Sequence, residues 1–158
     1  MKILVFLEQR NNDLKQSSLE ALAAAQKIKD QSSAQVDAVI LGSKVKNIAN
    51  IVKNHGVDSL YCVEHQNLEL YNVCHYQKAL ESVIEKCQPS LFLSVATPIT
   101  RDLTPRLSAR FDIGLLTDLI ELNCKEGVLQ GGTKPMYAGK VLAEATFTPN
   151  QKMVIATL

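Results

Sequence analysis

Short apolar runs alternate with stretches of helical period through the first two thirds of the chain. That alternation limits the possible fold more than any other feature. Residues 3–7 (ILVFL), 35–41 (QVDAVIL), 59–63 (SLYCV) and 91–95 (LFLSV) read as strands, the second closed by Gly42. Residues 17–29 (SSLEALAAAQKIK) read as a helix with Ser17 or Ser18 as N-cap. Val45, Ile48, Ala49 and Val52 follow at i, i+3, i+4, i+7, and Val73, Tyr76, Leu80, Val83, Ile84 and Cys87 trace a second helical stripe. A further helix is expected near residues 104–111. The order is βαβαβαβα. Strands apolar on both faces, separated by helices, predict an α/β fold with a parallel sheet covered on both sides and right-handed crossovers.

The last third changes character. Residues 115–122 (LLTDLIEL), 128–134 (VLQGGTK) and 141–147 (VLAEATF) read as strands, with Gly131-Gly132 taken as a turn signal. Val141, Ala143, Ala145 and Phe147 fall on one face, and Leu142, Glu144 and Thr146 on the other, as in a half-exposed antiparallel strand. The pattern stops inside a last strand-like run (MVIATL), which reads as part of a longer protein.

A chain of 158 residues suits one domain, read as residues 1–158, and needs no disulfide or metal to build a core. Lys+Arg is 17 against 16 for Asp+Glu, which argues against a dedicated nucleic-acid binder. No apolar run approaches the ~18 residues of a membrane span, so no membrane insertion is expected and the chain reads as cytoplasmic or as an organelle-matrix protein. Cys62, Cys74, Cys87 and Cys124 contain no CxxC pair. Cys74 and Cys87 fall on one predicted helix, about 20 Å apart, far beyond disulfide reach.

Open α/β sheets bind ligands at the carboxyl ends of their strands. The loops predicted there include Glu8–Lys15, Gly42–Lys44, Glu64–Leu70 and Ala96–Thr104. In the last, Thr104 is expected to cap the following helix, with Pro105 at its first position. Arg101, Asp102, Thr104 and Arg106 then form a candidate anion or partner site at a helix start. The competing reading has Asp102 and Thr104 as caps and the arginines paired to carboxylates or to a partner subunit. Arg106 and Arg110, four apart, share one face of that helix. Neither GxxxxGK[ST] nor GxGxxG occurs. His55, His65 and His75 fall in different elements, so no metal site is expected, and the residues by themselves name no reaction.

Three stretches together resemble the alpha subunit of electron transfer flavoproteins. The opening LVFLEQRNNDLKQSSLEALAAA has that family's strand, polar loop and Leu-Ala-rich helix. The segment ATPITRDLTPRLSARFDIGLLTDLIEL is similar to its T-x-x-G-R-D-L-x-P-R-x-A-A-R pattern, with Arg101, Asp102, Leu103, Pro105, Arg106 and Arg110 in register. The run Lys134-Pro135-Met136-Tyr137-Ala138-Gly139-Lys140 is similar to its R/K-P-x-Y-A/G-G-N turn. Thr100 stands where the pattern has glycine, and Lys140 where it has asparagine.

The resemblance implies an adenine nucleotide alpha hydrolase-like core with additional antiparallel strands. It implies the N-terminal domain of a subunit about twice this length, with FAD in the absent second half. No cofactor is expected in this chain, and AMP lies in the beta subunit of typical members. The implied role is scaffold and subunit interface, non-catalytic alone. The parent heterodimer, formed with a beta subunit, takes electrons from flavin dehydrogenases and passes them to a quinone-linked acceptor. The alternative is an adenine-nucleotide-binding or hydrolysing domain of the stress-protein or pyrophosphatase type. Those groups show a late glycine-rich phosphate loop or SGGxDS after the first strand. Here Glu8-Gln9-Arg10-Asn11-Asn12-Asp13 follows that strand.

Overall fold

The sheet is built from the apolar runs, and its order shows where the chain reverses direction. In the computed structural model, which describes residues 1–125 and 128–158, the strands are β1 (Lys2–Leu7), β2 (Gln9–Arg10), β3 (Asp13–Leu14), β4 (Gln35–Gly42), β5 (Ser59–Glu64), β6 (Leu91–Ser94), β7 (Gly114–Leu116), β8 (Glu121–Lys125), β9 (Val128–Met136), β10 (Val141–Thr146) and β11 (Val154–Thr157). The helices are α1 (Ser17–Gln31), α2 (Lys46–Lys53), α3 (Val73–Cys87) and α4 (Pro98–Phe111). Six strands form one parallel sheet in the order β5-β4-β1-β6-β11-β7. β8, β9 and β10 form a separate antiparallel sheet, and β2 and β3 a two-stranded ribbon.

Side-chain alternation along the central strands divides the core in two. Ile3, Val5 and Leu7 pack with Ala21, Leu22, Ile48 and Val52 on the face covered by α1 and α2. Leu4 and Phe6 pack with Leu80, Ile84, Leu103 and Leu107 on the face covered by α3 and α4. Both faces being apolar, the strands carry no polar stripe, which is why they read as continuous runs. The chain winds outward through β4 and β5, returns to β6 on the far side of β1, and continues in the opposite direction. The carboxyl ends of β1 and β6 therefore flank the topological switch point.

The structure corrects several local readings. α4 begins at Pro98, six residues before the expected start, because Thr97 is its cap: Thr100 N–H donates to Thr97 Oγ1 at 3.2 Å and Thr97 N–H to Thr100 Oγ1 at 2.8 Å. Thr104 and Pro105 lie inside the helix, and Thr104 Oγ1 donates back to the Thr100 carbonyl at 2.8 Å. Neither Ser17 nor Ser18 caps α1. Its cap position is Gln16, without a side-chain bond, and Ser18 is buried within the first turn. The run 115–122 is two strands, broken at residues 117–120 where Asp118 takes positive φ. Gly131 and Gly132 are mid-strand in β9. A Cβ on Gly131 would stand 2.0 Å from the Ala145 carbonyl, and one on Gly132 2.4 Å from the Glu121 carbonyl. The last run (MVIATL) is the strand expected there, and it joins the parallel sheet between β6 and β7.

Candidate functional site

The switch point is filled by a carboxylate of the chain itself. Glu8 follows β1 directly and is 3% exposed. One of its oxygens accepts from Thr97 Oγ1 at the start of α4, and the other meets Lys15 Nζ at 3.0 Å. Its backbone N–H donates to Ser18 Oγ at 2.8 Å, and its carbonyl accepts from the Lys15 N–H. A helix start favours negative charge, and here that charge is Glu8. The start of α2 is met in the same way: Glu64 Oε1, from the end of β5, accepts from the Val45 and Lys46 N–H groups at 2.8 and 3.1 Å. These bonds, that of Lys46 foremost, hold the Glu64 carboxyl below the usual carboxylate range.

The start of α4 offers a phosphate few open donors and no unopposed positive charge. Such a group needs open backbone donors and positive charge. At α4 one donor is absent because Pro98 has no N–H, Thr100 N–H is taken by Thr97, and Arg101 N–H bonds the Thr97 carbonyl. A phosphate there would also face the Glu8 carboxylate.

Buried polar side chains gather at the same edge. Glu8, Ser18, Ser94, Thr100, Thr104 and Thr157 are all buried. Most are spent on local bonds: Thr100 Oγ1 donates to the Val95 carbonyl, and Thr157 Oγ1 accepts from Asp118 N–H at 3.0 Å. They fix the strand ends and the entry to α4.

The four residues singled out in the sequence divide between two sides of α4. Thr104 is buried toward the sheet, whereas Arg101, Asp102 and Arg106 are exposed. Arg101 Nη2 meets Asp118 Oδ1 at 2.6 Å, Arg106 Nε meets Asp102 Oδ1 at 3.3 Å, and Arg110 Nε meets Glu81 Oε2 at 3.5 Å. Tyr71 O–H donates to Asp102 Oδ2 at 2.8 Å. Burial and this bond push the Tyr71 phenol well above its usual value, and the same bond pulls the Asp102 carboxyl down. The arginine pairing agrees with the competing sequence reading. The capping roles it gave Asp102 and Thr104 belong instead to Thr97 and Thr100.

Next to Arg101 lies the base of a projecting arm. Lys134 Nζ, from β9, donates to Thr117 Oγ1 at 3.0 Å, one residue from the Arg101–Asp118 pair. Beyond Lys134 the β9–β10 hairpin carries apolar side chains on both faces. Met136 is opposite Val141 on one face and Pro135 opposite Leu142 on the other. Val141, Leu142 and Tyr137 are 50%, 62% and 75% exposed. At the tip Tyr137, Ala138 and Gly139 all take positive φ, and Gly139 N–H closes the turn on the Met136 carbonyl at 3.1 Å. Two consecutive non-glycine residues in the left-handed region are a costly way to end a hairpin. The sequence marked this turn through its motif, but the pairing that exposes both faces was not visible there.

These features define a doubly wound α/β domain whose switch point is closed by its own glutamate and which extends an apolar arm. The chain belongs to the electron transfer flavoprotein family: the family model described as "Electron transfer flavoprotein domain" matches residues 3–158. It is 34% identical to an electron transfer flavoprotein subunit alpha of Thermoanaerobacterium thermosaccharolyticum over 89% of this chain and 43% of that one. It is 30% identical to the subunit alpha of Bacillus subtilis over 99% of this chain and 47% of that one. An acryloyl-CoA reductase electron transfer subunit beta of Anaerotignum propionicum is 33% identical over 77% of this chain and 33% of that one. The chain thus spans less than half the length of these relatives. The family assignment favours an electron-transfer subunit domain over the nucleotide-hydrolase alternative.

Proposed function

We propose that this domain is the N-terminal scaffold and subunit-contacting part of an electron transfer flavoprotein alpha subunit, non-catalytic by itself. FAD belongs to residues beyond those present here, and the complete subunit works as a heterodimer with a beta subunit. The complex takes electrons from flavin dehydrogenases and delivers them to a quinone-linked acceptor. Within the domain, the β9–β10 arm and the adjoining Arg101, Asp102 and Arg106 surface meet the partner.

The observation that carries this reading is the arm. A hairpin tip apolar on both faces gains most when a partner encloses it, because water is then excluded from both sides. The closed switch point supports placing FAD elsewhere.

Leu142→Asp and Val141→Asp are expected to weaken association with the beta subunit about tenfold or more, the usual effect of removing an interface anchor. Thermal stability should barely change, since both side chains are already solvated. Calorimetric titration of the purified subunits measures the first and thermal unfolding the second. Unaltered association would remove the arm from the interface. The purified chain is expected to be colourless, and flavin absorbance surviving gel filtration would overturn the placement of FAD.

A further inference from the structure

A cavity of about 1030 Å³ opens at the amino ends of the parallel strands, at the opposite end of the sheet from the switch point. That volume suits a small-molecule site. The C-terminal turn of α1 forms one wall, β8 and β9 another, and the 147–151 loop a third. Ile28, Leu129 and Val154 line it and are themselves buried, and the half-buried Phe147 ring supplies its aromatic surface.

Two backbone irregularities shape these walls. Asn123 pairs with Gly131 and Cys124 with Leu129, which leaves Gln130 as the extra residue of a bulge. Bulges re-aim side chains and gather beside functional sites. Here Cys124 and Gln130 both reach the cavity, and Phe147 N–H fixes the bulge by donating to the Gln130 carbonyl at 3.0 Å. In the loop, Asn150 takes positive φ.

The lining selects by charge. Of the chain's residues 21% are Asp, Glu, Lys or Arg, yet none of the sixteen that line the cavity is one of these or a histidine. An ionised ligand entering it would lose hydration and meet no side chain of opposite charge. Hydrogen bonds are what the walls supply. Ser32, Ser90 and Gln151 are occupied by the Ile28 carbonyl, the Lys2 backbone and the Gly114 N–H. The side-chain amides of Gln31, Gln130 and Asn150 make no hydrogen bond among the described residues, and each has both donors and an acceptor to give.

We propose that this cavity binds an uncharged aromatic molecule bearing amide-type donors and acceptors, its ring against Phe147 and its polar edge toward Gln31, Gln130 and Asn150. Ring-on-ring contact and amide pairing then act together. The site lies at the other end of β9 from the arm, about 27 Å along the strand, so it stands or falls apart from the subunit-contact proposal.

Titration of the isotope-labelled chain with benzamide, benzoate and benzamidine, followed by nuclear magnetic resonance, tests the proposal. The three probes share one ring and differ in charge. Benzamide is expected to shift the amide signals of Leu129, Gln130 and Phe147 saturably, and to bind about tenfold or more tighter than either charged probe. It should also slow modification of the half-buried Cys124 by N-ethylmaleimide and leave that of the exposed Cys74 unchanged. Gln130→Glu, at an exposed position, should turn the preference about tenfold toward benzamidine while leaving far-ultraviolet dichroism intact. Should that variant misfold, the three-probe comparison on the unaltered chain decides the matter by itself. Equal binding of the three probes, no saturable shift with millimolar benzamide, or shifts confined to other residues would overturn the proposal. Tighter binding of benzoate would overturn it too, and give the cavity to anions held by the Met1 amino group.

Discussion

Leu4 shows how much one side chain carries in this sheet. It is fully buried in β1, which has β4 on one side and β6 on the other, and it packs beneath α3 and α4. Leu4→Ala is therefore expected to cost roughly 2–5 kcal/mol, read from denaturant unfolding. A cost below about 1 kcal/mol would mean the site collapses around the missing atoms. Glu8 makes the opposite point. Its neighbours in sequence mark it only as the end of an apolar run, yet it is the buried charge at the switch point. Nothing local predicts that, because its partner Thr97 arrives from 89 residues away. Leu4 was legible because burial in a central strand is written in the apolar run itself.

At the scale of elements, α4 shows how a correct rule can be applied to the wrong residue. Thr-Pro is a sound helix-start signal, and the chain contains it three times, at Thr97-Pro98, Thr104-Pro105 and Thr148-Pro149, the first two of them near α4. The first pair is the true start. Thr97 and Thr100 exchange bonds there, and the second proline is tolerated inside the helix. Thr97→Ala is accordingly expected to destabilise the domain by about 1 kcal/mol, the usual value of an N-cap. The measurement is urea unfolding of Thr97→Ala beside the parent. A loss of a few tenths of a kcal/mol or less would mean that the Thr97 hydroxyl adds little to the helix start. Gly131-Gly132 was misread for a similar reason. Paired glycines signal a turn locally, but here they admit the close approach of β10 and β8 to β9, a property of three strands together.

For the molecule as a whole, the alternation of strand and helix disclosed the parallel core, its two faces and the change of character after α4. The antiparallel nature of β9 and β10 was legible from the two-residue period of 141–147. The insertion of β11 between β6 and β7 was not, since an apolar run does not say which neighbours it will take. An ion pair on this surface contributes to the acid sensitivity of the fold. The Lys29 hydrogen bond, with a second from the Val36 N–H, holds the Asp58 carboxyl below its ordinary 3.8. A depressed folded value means stability fully present above the ordinary value and lost as pH falls through the depressed one. Asp58→Asn should therefore flatten the decline of stability below about pH 4, measured as melting temperature against pH. A parallel decline in the two proteins would place that acid sensitivity on other groups.

The position of β11 also governs how the domain can come into being. The 37 residues from 117 to 153 separate β7 from β11, yet among the described residues β7 has no other strand beside it in the parallel sheet. During synthesis, β6 keeps one side open and β7 stays unattached until Val154–Thr157 leave the ribosome. The arm and the whole antiparallel sheet are made before the core that supports them is complete. A nascent chain paused within the arm therefore presents the apolar flank of β6 to chaperones, and the last four-residue strand acts as the latch that withdraws it.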